Sequence, residues 1–229
     1  KFADPFTKWS GQATSPYTLY EQLVRAGELA QRIPKGPTYL DIPIETMIHD
    51  WAPPAKIRKV PAAPKMQPTP SSISNLADLL VKSENPLIIT ESAGKSAEGF
   101  ANLLMLCEML AIPVVESAPV YSNFPKNHPL HLGFSPRPYM NDADVVLVIA
   151  SRAPWYPPYQ GPAKATVVNM AEAPIKGHMV YQNLLADDYV EGDVPISLEL
   201  LIEAVQASGF NAGKVAERRS RIEAEHNKM

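Results

Sequence analysis

Apolar positions along the chain fall into two alternating periods. Leu19, Leu23, Ala26, Ala30 and Ile33 recur at helical spacing, and Thr18 with Glu21 three residues on has the form of a capping box. The spacing predicts an amphipathic helix of about four turns. Pro34, Gly36 and Pro37 end it, and the segment from Thr38 to Ile42 is short, β-prone and bounded by proline, as a buried strand is. From Pro53 to Pro70 proline recurs among few large apolar residues, so this stretch reads as an extended interdomain linker.

A second series then begins. Ile73, Leu76, Ala77, Leu80 and Val81 predict a helix, and the apolar run from Pro86 to Thr90 a strand. Phe100, Leu103, Leu104, Cys107, Leu110 and Ala111 form one helical stripe, with the next strand at Ile112 to Glu116. Such a strand–helix–strand unit crosses right-handedly and places both strands in one parallel sheet. Asp144 to Ala150 is apolar on both faces, as a central parallel strand covered on each side must be, and Ala165 to Met170 repeats the pattern. Leu184 to Asp187 and Tyr189 to Asp193 read as short late strands, and Leu198, Leu201, Ile202 and Val205 as a closing helix. The fold class is therefore α/β, a doubly wound parallel sheet of about six strands preceded by an incomplete α/β segment. The expected divisions are 1–53, a linker at 54–72, the main domain at 73–207 and a connector helix at 208–229, its arginines Arg218, Arg219 and Arg221 on a solvated face.

Composition narrows the function classes. A net charge of -3 with 20% charged residues gives no electrostatic footprint for nucleic acid or an anionic membrane. No apolar run reaches the roughly 20 residues that span a bilayer. One cysteine, Cys107, can form neither an internal disulfide nor a cysteine metal cluster, which makes the cytoplasm the expected compartment. Proline stands out at 24 residues, about twice its usual share of roughly 5%. A start at Lys1 without a charged-then-apolar leader, together with the domain tail ahead of a complete domain, suggests a piece of a larger enzyme.

The local strings, taken in order, resemble one family: the thiamine-diphosphate-dependent enzymes of the acetolactate synthase, pyruvate oxidase and benzoylformate decarboxylase type. Gly36-Pro37-Thr38-Tyr39-Leu40-Asp41-Ile42-Pro43 is similar to the strand that closes that family's pyrimidine-binding domain. His128-Pro129-Leu130-His131-Leu132-Gly133 and Ala143-Asp144-Val145-Val146-Leu147-Val148-Ile149 resemble segments of its central, Rossmann-like domain. The resemblance implies an intact enzyme that breaks or forms a bond beside the carbonyl of a 2-oxo acid, with thiamine diphosphate and Mg2+ as cofactors and a dimer or tetramer as the assembly. It also implies that the activating glutamate and the Gly-Asp-Gly segment of the metal and diphosphate site belong to regions outside this sequence, so this chain alone is expected to be inactive and to carry no catalytic residue.

In several relatives the central domain holds FAD, in others ADP or coenzyme A, at the carboxyl ends of its strands. Here Glu91-Ser92-Ala93-Gly94-Lys95 keeps a single glycine where flavin binders have a glycine-rich turn, and Met170-Ala171-Glu172-Ala173-Pro174 has alanines where the family places acids. Arg152 remains as a partner for a phosphate or carboxylate. The residues that would line a nucleotide site are thus Gly94, Lys95, Arg152 and Met170; with its glycines and acids missing, an empty structural domain is favoured, a stand-alone FAD, ADP or coenzyme A module being the alternative. His128 reads as a loop-ordering hydrogen bonder rather than a metal ligand, Cys107 as an inert core residue, and Trp155-Tyr156-Pro157-Pro158-Tyr159 as a loop packed on a neighbouring domain or subunit rather than a ligand mouth.

Overall fold

The computed structural model describes residues 2–50, 56–57, 61–176 and 186–228. It comprises two units, Lys1–Lys65 and Met66–Met229.

In the first unit, strand β1 (Trp9–Gln12) leads through helix α1 (Leu19–Gln31) to β2 (Thr38–Asp41) and the single turn α2 (Ile44–Met47). The strands pair in parallel, Trp9 beside Thr38 and Gln12 beside Asp41. β1 has no apolar run to announce it; Trp-Ser-Gly-Gln acquires strand geometry only from pairing with β2. The capping box at Thr18 does not form. Thr18 has helical dihedrals and its hydroxyl donates back to the Ser15 carbonyl at 3.2 Å, so it caps nothing. No residue of α1 is buried, and Leu23, on its apolar stripe, is half exposed.

The second unit runs α3 (Pro70–Lys82), β3 (Pro86–Thr90), α4 (Ala97–Leu110), β4 (Val114–Glu116), α5 (Arg137–Met140), β5 (Val145–Ile149), β6 (Thr166–Ala171), β7 (Asp188–Glu191), α6 (Val194–Ser208) and α7 (Ala212–His226). Both long early helices start on a side-chain cap: Thr69 accepts from the Ser72 amide at 3.3 Å and Ser96 from the Gly99 amide at 3.1 Å. The strands form a sheet ordered β4-β3-β5-β6-β7, every pair parallel. Among the described residues the sheet has five strands, against an expectation of about six. Of the extra strand expected at 184–187, residues 184 and 185 lie outside the described residues, and Ala186 and Asp187 belong to no strand, although the Asp187 amide donates to the Val167 carbonyl at 2.8 Å.

Alternation along each strand divides the core between two faces. Ile88, Val114, Leu147, Val168 and Met170 point to the side covered by α3, α4 and α6. Leu87, Ile89, Val115, Val146, Val148 and Val167 point to the other, which is closed by Leu132, Met140, Ala143 and Trp155. That second face is covered mainly by loops and the single turn α5. Trp155 is therefore a core residue, not an interface aromatic as its sequence neighbours suggested; Tyr156 and Tyr159 beside it are exposed. The outer edge of β4 is covered by residues 130–133: the Val114 amide donates to Leu130 at 2.8 Å, Leu132 returns a bond to Val114 at 2.8 Å, and the Glu116 amide reaches Gly133 at 3.0 Å.

α7 departs from the expected solvated connector. Arg218 is only 4% exposed, and its guanidinium donates to the carbonyls of Leu110 at 2.7 Å and Ser83 at 2.5 Å, the ends of α4 and α3. Arg219 reaches the Glu108 carbonyl at 2.6 Å and Lys214 the Lys82 carbonyl at 2.9 Å. Helix carboxyl termini carry unpaired carbonyls and partial negative charge, so cations are the groups that bind there. Charge spacing alone could not reveal which helix ends lie beneath α7.

Candidate functional site at the carboxyl ends of the strands

Chain order reverses between β3 and β5: from β3 the chain passes to β4 on one side, and β5, β6 and β7 follow on the other. Open α/β sheets place ligands in the crevice outside this point, between the loops that follow the two strands. Here those loops are Glu91–Lys95 and Ala150–Arg152.

Glu91, 4% exposed, crosses the crevice. Its carboxylate accepts from the Arg152 amide at 2.9 Å and from Arg152 Nε at 2.6 Å, and a second guanidinium nitrogen completes the ion pair. The hydrogen bond and charge of Glu91 hold the Arg152 guanidinium above its ordinary pKa. Ser92 adds a second link, its hydroxyl donating to the Ala150 carbonyl at 2.8 Å. Ala150 has φ +46°, a left-handed conformation that favours glycine.

The amides of the first loop are also committed. Ala93 donates to Thr90 Oγ1 at 3.2 Å, Gly94 to Asn123 Oδ1 at 2.9 Å and Lys95 to the Ser92 carbonyl at 3.2 Å. The one retained glycine serves packing: a Cβ on Gly94 would lie 1.9 Å from the Ser122 carbonyl oxygen. Of the four residues expected to line a nucleotide site, the structure brings Gly94, Lys95 and Arg152 to the same two loops. Lys95 is exposed, Arg152 is paired, and Met170 is set apart, its side chain fully buried in the core beneath the sheet. The Glu91–Arg152 pair spans 61 positions, and Glu91 is the partner of the very arginine left for a ligand.

A second buried acid ends β4. Glu116, fully buried, accepts from the Asn123 amide at 2.9 Å and its side-chain amide at 3.0 Å, pairs with Lys126, and faces His131 Nε2 at 3.0 Å. Burial first, then the charges of Lys126 and His226, push His131 down from 6.5 to about 4, so the ring is neutral near pH 7. Asn123 also donates to the carbonyls of Glu91 at 3.0 Å and Tyr121 at 2.9 Å, which ties the two acids into one network. His128 orders its loop as expected, Nδ1 accepting from the Leu130 amide at 3.1 Å, with Glu108 3.3 Å from Nε2. Cys107 is buried, and burial pushes its thiol up.

Glu91 and Glu116 are both bound to internal cations, so neither fits the part of an acid that activates a cofactor. Among the described residues no group of three or more His, Cys, Asp or Glu is placed to hold a metal ion, and no helix is long and apolar enough to cross a membrane. The described residues therefore offer no ready set of ligands for the Mg2+ that would accompany thiamine diphosphate.

Comparison with known proteins accords with the fold. The chain is 24% identical over 212 residues to oxalyl-CoA decarboxylase of Escherichia coli K12, covering 91% of this chain and 38% of that protein. It is 27% identical over 224 residues to benzoylformate decarboxylase of Pseudomonas aeruginosa, covering 89% and 40%. The crystal structure of benzoylformate decarboxylase from Polynucleobacter necessarius superposes with a TM-score of 0.73 at 22% identity, over 88% of this chain and 39% of that one. The chain thus spans about two fifths of the length of these relatives. A stand-alone nucleotide-binding module is not supported. The family model described as thiamine pyrophosphate enzyme, central domain, matches residues 73–201, more than half of the chain, and the chain belongs to that family.

Proposed function

We propose that the chain forms the central domain, with the adjoining end of a pyrimidine-binding domain, of a thiamine-diphosphate-dependent lyase or transferase that acts on a 2-oxo acid. The reading is supported above all by the family match over residues 73–201, carried on a parallel sheet whose strand order suits that domain. The first unit, Lys1–Lys65, suits the end of such a pyrimidine-binding domain: β1, α1 and β2 are a strand–helix–strand step with an uncovered apolar face, which further strands of the same domain would bury. In such enzymes the cofactor, when bound, would supply a nucleophilic carbon and an electron sink. The residues of this chain act as scaffold: they fix the loops at the carboxyl ends of β3, β4 and β5 through the Glu91 and Glu116 networks, and contribute no reacting group. The assembly is a cytoplasmic dimer or tetramer.

Turnover tests the reading. A panel of 2-oxo acids is assayed for thiamine diphosphate and Mg2+-dependent release of CO2 or ligation, with this chain alone and with the polypeptide completed by the remaining domains of a relative. The completed enzyme should turn over at least one 2-oxo acid and the chain alone none; activity of the chain alone, or an inactive folded enzyme, would refute it.

A further inference from the structure

The crevice between β3 and β5 is where the topology of this sheet places a ligand, and an arginine stands at its mouth. An anionic ligand there would be held first by a guanidinium not already neutralised by another anion, to which backbone amides on the loop after β3 could add. In this chain both already have internal partners. Arg152 is engaged by Glu91 through its amide, Nε and a terminal nitrogen. The consecutive amides of Ala93, Gly94 and Lys95 are taken by Thr90, Asn123 and Ser92. Glu91 has almost no exposure, whereas the Arg152 side chain is about half exposed at 49%. A phosphate approaching that exposed side would meet a guanidinium already neutralised by the carboxylate behind it, and a displaced Glu91 would be left as an unpaired charge in a water-poor setting.

We propose that Glu91 is the resident anion of this crevice, occupying on Arg152 the position that the anionic group of a nucleotide would take, so that the central domain of this chain is closed by its own side chain instead of by a ligand. The inference rests on the family reading only for the expectation that relatives hold a nucleotide here; the closure itself follows from named bonds. One consequence separates it from a merely degenerate site. Removing the carboxylate should create an anion site, because Arg152 keeps its place at the end of β5 and loses its counter-charge.

The test is calorimetric titration of the 229-residue chain with inorganic pyrophosphate and, separately, ADP. The unaltered chain should show no saturable binding below about 1 mM. Glu91→Gln keeps the shape of the side chain and its acceptor oxygen while removing the charge, and Glu91→Ala also opens space; both should bind pyrophosphate at least about tenfold tighter than the parent, a gain of about 1.4 kcal/mol or more. Adding Arg152→Ala to either should abolish the gain. Near-UV circular dichroism reports whether each variant retains its packing, and Glu91→Gln decides the matter should Glu91→Ala unfold. Saturable binding by the parent that Arg152→Ala removes, or folded Glu91 variants that bind no better than the parent, would overturn the proposal. Because nothing in the test depends on turnover, its failure would leave the enzymatic reading standing, and the converse.

Discussion

Replacing Arg218 offers a direct measure of how α7 is held. Its guanidinium bridges the last carbonyl of α4 and the carbonyl just beyond α3, at 2.7 and 2.5 Å. Hydrogen bonds from a charged donor contribute about 1.5–3 kcal/mol each, so the gross loss is about 3–6 kcal/mol. Recovering the hydration of a buried guanidinium offsets part of this. The carbonyls, however, stay behind as buried helix ends without a donor, which costs further free energy. Nε adds nothing to the loss, since it has no partner in the folded chain. Arg218→Met, which keeps the apolar volume of the stem, should therefore destabilise the second unit by about 3 kcal/mol, lowering Tm by roughly 6–12 °C for a unit of this size. Guanidinium melts followed by far-UV circular dichroism should show a lower midpoint at an unchanged slope. Arg218→Lys, with one compact donor group, should recover less than half. A midpoint for Arg218→Met within about 0.5 kcal/mol of the parent would show that the two carbonyls do not depend on Arg218, and the argument for α7 as a docked element would fall.

Other expectations follow from single sites. Gly94→Ala places a methyl against the Ser122 carbonyl, which is backbone and must shift; a loss of about 1–3 kcal/mol is expected in denaturant melts. Ala150→Gly relieves a positive φ and should stabilise by up to about 1 kcal/mol in the same assay. His131 is held neutral down to about pH 4 in the folded chain but takes a proton near 6.5 when unfolded, so the unfolded state binds the extra proton between these values. Its contribution to stability is therefore complete above pH 6.5 and declines as pH falls towards 4, by up to roughly 3 kcal/mol, and His131→Gln should flatten that part of a stability-against-pH curve. Cys107, buried with its thiol pushed up, should react with a thiol reagent only at the rate at which the core opens, so labelling should accelerate in step with global unfolding as denaturant is added.

What the sequence discloses here divides by range. β3, β5 and β6 are mostly apolar and almost wholly buried because both faces of a parallel sheet are covered, and that pattern is local enough to be read directly. β1 escapes the same reading, since a strand of Trp, Ser, Gly and Gln owes its geometry to a partner 29 positions on. The charges behave likewise. Arg218 and its neighbours have the look of a hydrated helix face, yet their acceptors are carbonyls 108 and 135 positions away. Glu91 and Arg152 are both visible in the sequence, each with a sensible separate meaning, and only the strand order that sets β3 beside β5 makes them one object. Trp155 departs from its expected place for a related reason. Prolines around an aromatic signal a loop, but not which way its ring turns, and here it closes the thinly covered face of the sheet.

The segment running along the outside of β4 has a bearing on how the molecule behaves at high concentration. A terminal strand with vacant amides invites a foreign chain to extend the ladder, and parallel sheets, slow to assemble, are vulnerable while they wait. With residues 130–133 already hydrogen bonded along it, this border offers no template for a newcomer, so fibre growth from that side would first require peeling away the chain's own cover.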